Sequence, residues 1–191
     1  MSEENNYPFP SFLIQILNEF EIPGDRWEIL PFGSGLINST WKVGAQAAGP
    51  HYILQRINEE VFTRPEAIAE NMARLGNYLD RHFPDYLFIK PIATHTGRPI
   101  LHSPEHGWFR LLPFVEGSHS VDTVHSPELA FEAARQFGRF TSLLSDFPLE
   151  QLQITLPHFH DLSFRYLQFE EAMGKVPASK KEYCLPELQF L

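Results

Sequence analysis

Cysteine is nearly missing from this chain: Cys184 stands alone among 191 residues. No intrachain disulfide can form, which suits a reducing compartment. There is no run of lysine or arginine, and the formal net charge is −9. That balance argues against a nucleic-acid surface and against an anionic membrane surface, since both call for basic patches. It does not argue against a nucleotide, which needs only a local positive field. No stretch approaches the ~20 apolar residues of a membrane-spanning helix. The start, MSEENNYPFP, has neither the basic n-region nor the apolar h-region of a secretory signal. The expectation is a cytoplasmic chain with no membrane partner and no nucleic-acid partner. In that compartment the sequon Asn38-Ser39-Thr40 never meets the glycosylation machinery.

Several catalytic signatures are also lacking. There is no HExxH and no cysteine pair. His102 and His106 flank Pro104, so the helical i, i+4 zinc geometry fails. His158-x-His160 before Asp161 reads as a helix start rather than a metal site, and no metal ligand is assigned. Without a Gly-x-Ser-x-Gly elbow, a Ser-His-Asp hydrolase is rejected. Gly33-Ser34-Gly35 is not followed by Gly-Lys-Ser/Thr and leads into a strand, so it is not a Walker A loop.

What is present supports a packed core. Hydrophobic residues make up 43% and charged residues 20%, and phenylalanine, with 17 copies, supplies much of the burial. The central stretch is ILPFGSGLINSTWKVG, Ile29 to Gly44. Strand-like residues flank two glycines, which describes a hairpin whose tip can lie close to a ligand. Glycine tolerates positive φ and has no Cβ in the way, and backbone N–H groups at such a tip can point at phosphate oxygens.

In chain order, Pro8 to Phe20 reads as a short helix with Ser11 as N-cap and Phe12, Ile16, Leu17 and Phe20 on one face. Trp27 to Phe32, Leu36 to Val43 and His51 to Ile57 read as three strands of an antiparallel meander, with GAQAAGP as a turn. Thr63-Arg64-Pro65-Glu66 reads as a capping box opening a helix to His82, with Ile68, Met72, Leu75 and Leu79 as its packing stripe. Leu87 to Thr94, Pro99 to His102 and Gly107 to Leu112 read as further strands. The segment 113–120, PFVEGSHS, reads as a linker. Beyond it the pattern turns helical: Ser126 to Asp146 with Ser126 as cap, Asp161 to Ala172, and the start of another helix from Lys180. The fold class expected is α+β: a five- to six-stranded antiparallel sheet with one long helix, then helices. The domains expected are a lobe at 1–112, a hinge at 113–120 and a partial helical lobe at 121–191.

The order strand, Gly-x-Gly, strand, strand, helix, strands, linker, helices resembles the protein-kinase-like fold. At the residue level GSGLINSTWKV, YILQRINEEVF, ENMARL, FRLLPFVEG and AARQFGRFTSLLSDFP resemble the N-terminal half of the aminoglycoside phosphotransferase/choline kinase superfamily. They are most similar to the branch that includes the N-acetylhexosamine 1-kinases. The resemblance runs from about Ile29 to Ala172 and implies an ATP-dependent small-molecule phosphotransferase, where positioning and charge neutralisation matter more than covalent chemistry. Its partners would be a nucleotide and a small hydroxyl substrate, a sugar or similar.

The resemblance implies roles for particular residues. Gly33, Ser34 and Gly35 would cover the phosphates. Asn38 stands where the kinase loop has its third glycine, and Thr40 where it has valine. The third strand should carry the cation that holds the phosphates. It offers Gln55 and Arg56 but no lysine, and only one of them can face the cleft. Charge favours Arg56. Glu70 is the helix carboxylate expected to pair with that cation. Leu112, Phe114, Val115 and Glu116 would form the adenine hinge. Phe114 or Val115 would supply N–H donors, because Pro113 has none, and Glu116 would reach the ribose.

The superfamily's His-x-Asp catalytic loop and its Mg²⁺-binding aspartate have no counterpart here: no histidine is followed two residues later by aspartate. The expectation is therefore the N-terminal part of such a kinase, inactive by itself, with no catalytic residue assigned and Mg²⁺ needed only with the remainder. The alternative is a non-catalytic nucleotide-binding or interaction module. Apolar faces on the helices after residue 121 are expected to lack their usual partners, which favours self-association. Sedimentation at micromolar concentration should show species larger than a monomer; a compact monomer would count against this.

Overall fold

The computed structural model describes residues 10–24, 26–45, 49–119 and 121–190. The expectations for Pro8, for the centre of the 44–50 turn, for Ser120 and for Leu191 lie outside the described residues. The chain divides into two compact units, 1–155 and 156–191. The linker at 113–120 falls inside the first.

Unit 1 is built on a five-stranded antiparallel sheet of order β1-β2-β3-β5-β4. Its strands are β1 (Trp27–Pro31), β2 (Ser39–Ala45), β3 (His51–Arg56), β4 (Leu101–Ser103) and β5 (Gly107–Pro113). The predicted meander of the first three is present, with Ile29 opposite Val43 and Val43 opposite Tyr52. β3 then pairs with β5, not with β4, so the helical excursion 57–100 returns the chain to the far edge of the sheet.

Alternation of side chains sorts the sheet into two faces. On one face Trp27, Ile29, Val43, Tyr52, Leu54, Phe109 and Leu111 are buried against α1 (Phe12–Leu17) and its extension to Phe20. Helix α1 uses Leu13, Ile16 and Leu17 for this; Phe12 is only partly buried and stacks on His106 at 3.9 Å. Ser11 occupies the N-cap, but its backbone is already helical and its side chain caps nothing.

On the other face α2 (Pro65–His82) covers the β4–β5 end, where Ala69 packs with Ile57, Ile100 and Trp108. The helix buries small residues, Ala67, Ala69 and Gly76, with Leu79; Ile68, Met72 and Leu75 are half-buried. The expected capping box is not formed. Pro65 takes the first helical position and keeps Arg64 out of the helical conformation, so Arg64 is the N-cap and Thr63 lies outside the helix.

The strand expected at Leu87 to Thr94 is also absent. Pro91 removes a ladder donor, and the segment runs irregularly, with the bridge Thr94 to Phe20 and scattered bonds such as that from the Ile92 N–H to the Leu111 carbonyl, at 2.8 Å. Residues 36–38 stay outside β2, which widens the hairpin tip; Leu36 is fully exposed.

After β5, α3 (Pro127–Leu143) starts at Ser126, whose hydroxyl accepts from the Leu129 N–H at 3.2 Å as expected. This helix buries none of its residues: Phe131 is 68% and Phe137 75% exposed. Phe140 stacks on Phe88 at 5.9 Å. A 3-10 turn at Leu149–Gln151 then brings Gln153 to α2. There Asn71 Nδ2 donates to the Gln153 carbonyl at 2.8 Å and Asn71 Oδ1 accepts from the Gln153 N–H at 2.9 Å. Unit 2 contains α4 (Leu162–Lys175), α5 (Ala178–Tyr183) and α6 (Leu185–Phe190). Asp161 caps α4 through the Phe164 N–H at 2.9 Å. No helix among the described residues is long and apolar enough to cross a membrane.

Two measurements check these assignments. Asn71→Ala strips both partners from the half-buried Gln153 backbone and should cost about 1–3 kcal/mol in urea unfolding; an unchanged midpoint would show the clasp adds nothing. Gly33 has φ +79°, whereas Gly35 is not in the left-handed region and has open space around its Cβ position. Gly33→Ala should therefore cost about 1–2 kcal/mol and Gly35→Ala much less; equal losses would place the strain elsewhere.

Candidate functional site

The part of the second sheet face that α2 leaves open is the candidate site. Parity is set by the core: Trp41 and Val43 point with Tyr52 and Leu54 toward α1, so Thr40, Lys42, Ile53 and Gln55 point the opposite way. Leu30 pairs with Lys42, Ile53 with Leu112, and Gln55 with Arg110, which extends this face across four strands. Leu30 and Phe32 are exposed on it. The hairpin tip from Gly33 to Asn38 rises at its β1–β2 end.

The structure resolves the choice between Gln55 and Arg56 against the expectation. Gln55 is on the open face: its Nε2 donates to the Thr40 hydroxyl at 3.2 Å and its Oε1 accepts from Arg110 Nε at 2.9 Å. Arg56 has the opposite parity. It is exposed at the strand end, beside Ser39, Asn58, Glu59 and Glu60, with Nε 3.7 Å from where a Gly107 Cβ would sit. Charge pointed to Arg56, but the ladder decides orientation, and it turns the amide inward.

Glu70 does not meet a strand cation. Its Oε2 accepts from Arg74 Nη2 at 3.2 Å and from Gln153 Nε2 at 2.6 Å, which ties it to the Asn71–Gln153 clasp. Asn38 Oδ1 accepts from the Asn58 N–H at 3.0 Å, so it braces the hairpin against the turn after β3. Ser34 Oγ donates to Asp122 Oδ1 at 3.3 Å, a contact between the hairpin tip and the segment following the linker.

At the end of β5 the expected hinge has mixed availability. The Phe114 N–H donates to the His51 carbonyl at 3.0 Å, so it is not free for a base. The Val115 N–H has no partner among the described residues, while its carbonyl accepts from Ser118 at 3.1 Å. Leu112 is half-buried on the open face. Glu116 meets His51 Nδ1 at 2.5 Å, and that pair is exposed.

Two cations on this face escaped the sequence reading. Lys42 Nζ lies 3.8 Å from the centroid of the Phe114 ring, a cation–π contact, and Phe32 meets the same ring edge-on at 5.8 Å. Arg110 is half-buried between Gln55 and α2, where its Nη1 reaches Met72 Sδ at 3.1 Å. Burial pushes its pKa below the ordinary guanidinium value. The available signal was parity: Lys42 sits between Trp41 and Val43, and Arg110 between Phe109 and Leu111, so each alternates with core residues. Among the described residues no group of three or more His, Cys, Asp or Glu is placed to hold a metal ion.

An apolar floor, a glycine-bearing roof, a free amide at the strand exit and two cations can receive a flat apolar ring carrying anionic groups. Comparison with solved structures finds a spectinomycin phosphotransferase crystallised with ADP and spectinomycin. It aligns with a TM-score of 0.50 and 13% identity over 75% of this chain and 40% of that one. At that identity the likeness concerns the fold, an α+β kinase-like phosphotransferase fold, of which this chain spans 40% of the relative's length. Residues 28–190 match the family described as the phosphotransferase enzyme family. With most of its length inside that match, the chain belongs to the phosphotransferase enzyme family.

Proposed function

We propose that this chain is the nucleotide-binding part of an ATP-dependent small-molecule phosphotransferase. One observation carries the reading: the open sheet face combines an apolar floor, the Gly33–Gly35 hairpin and a Val115 amide that has no partner among the described residues at the exit of β5. Adenine would lie against Leu30, Ile53 and Leu112, with the Val115 N–H as its donor. The 113–120 segment would act as hinge between the sheet lobe and the helices. The hairpin would lie over the phosphates, with Ser34 and Gly35 presenting backbone N–H groups. The relative's ADP supports a nucleotide ligand, and its spectinomycin supports a small-molecule substrate.

The acceptor class we propose is a sugar anomeric hydroxyl, supported by the resemblance of YILQRIN and QFGRF to the N-acetylhexosamine 1-kinases. By itself the chain is proposed to bind nucleotide without transferring phosphate, because it has no His-x-Asp loop. Mg²⁺ would arrive with carboxylates other than those described.

Calorimetric titration of the chain with ATP and ADP tests the reading. Saturable binding is expected, weakened about tenfold or more by Ile53→Asp, which puts a charge on the adenine floor. Absence of binding by the folded wild type would overturn it.

A further inference from the structure

The third strand poses a problem of charge. Gln55 faces the site but is neutral, and Arg56 faces away. Yet the same face holds a guanidinium one strand over. Arg110 is directly opposite Gln55 in the β3–β5 ladder, and Gln55 Oε1 grips its Nε at 2.9 Å. Gln55 is itself held by Thr40 at 3.2 Å, so a line of polar contacts crosses β2, β3 and β5 and ends on the cation.

Among the described residues no anionic group neutralises that cation. Among the described residues no carboxylate lies within ion-pair distance of Arg110. On α2, Glu70 is committed to Arg74 and Gln153. The remaining partner is the Met72 thioether, a weak acceptor. A half-buried charge without a counter-ion is costly, and an apolar side chain of similar volume would fill the place with less penalty. Nε and Nη1 are engaged by Gln55 and Met72, and Nη2 has no hydrogen-bond partner among the described residues.

We infer that Arg110, oriented by Gln55, is the cation that holds the phosphate chain of the bound nucleotide. It takes the part that a lysine on the third strand would play. Arg110 is the binding residue and Gln55 a positioning residue. This rests on the nucleotide reading above and adds to it the source of the charge.

The test compares ATP, ADP and adenosine on the wild type and on Arg110→Met, Gln55→Ala and Arg56→Ala, by calorimetry. Arg110→Met should lose about tenfold or more for ATP and ADP, as expected for a charge-assisted bond, and less than about twofold for adenosine. Gln55→Ala should show the same phosphate-dependent loss, smaller in size, and Arg110→Lys should recover part of it. Arg56→Ala should bind as wild type. Because a substitution at Arg110 can disturb folding, the wild-type Nε–H resonance of Arg110 is followed as well. It should shift with ADP and stay put with adenosine. Arg110→Met binding ATP as wild type, losing ATP and adenosine equally, or a phosphate-dependent loss at Arg56 instead would overturn the inference while leaving nucleotide binding intact. A wild type that binds no nucleotide would overturn both.

Discussion

The structure depends on the two-sidedness of one antiparallel ladder. Because successive side chains leave opposite faces, the residues that seal one side of β2, β3 and β5 dictate what the other side presents. Trp41, Val43, Tyr52, Leu54, Phe109 and Leu111 lie on the α1 side. Their neighbours in sequence, Thr40, Lys42, Ile53, Gln55, Arg110 and Leu112, are thereby placed on the opposite face. A shift of one residue in register would invert both sets, so burying the core and arraying the site are a single event.

The second face is unequally covered. At the β4–β5 end α2 packs through Ala69 against Ile57, Ile100 and Trp108, while its Gly76 lies against Lys90 and Phe88 of the irregular segment before β4. Toward β1 the face is left without a helix, and Leu30 and Phe32 are exposed. Arg110 lies at the border between these two regimes, half-buried yet within reach of the open part. On α2, Glu70 accepts from Arg74 and Gln153.

Much of the fold was legible in the residues. Five strands and the long helix were found near their places, since apolar alternation and glycine or proline punctuation reflect local chemistry. The failures have specific causes. Leu87 to Thr94 has strand-like composition, but Pro91 interrupts the ladder. Thr63 and Glu66 have the spacing of a capping box, but Pro65 starts the helix one residue too late for Thr63 to cap it. The choice of Arg56 over Gln55 failed because HYILQRI is apolar at both parities: Tyr52 and Leu54 on one, Ile53 on the other. Only pairing with neighbouring strands shows which apolar set is the core.

By itself, then, the chain of residues determined the type and order of its elements, the place of the glycine hairpin and the kinase-like arrangement they build, because these follow from local periodicity and turn chemistry. Tertiary structure decided which charges lie on the open sheet face. Arg110 is remote from Gln55 in sequence and adjacent to it only because β5 pairs with β3. Glu70 accepts from Gln153, a residue beyond α3. Contacts of that kind depend on register and on long-range closure of the chain, and no local pattern encodes either.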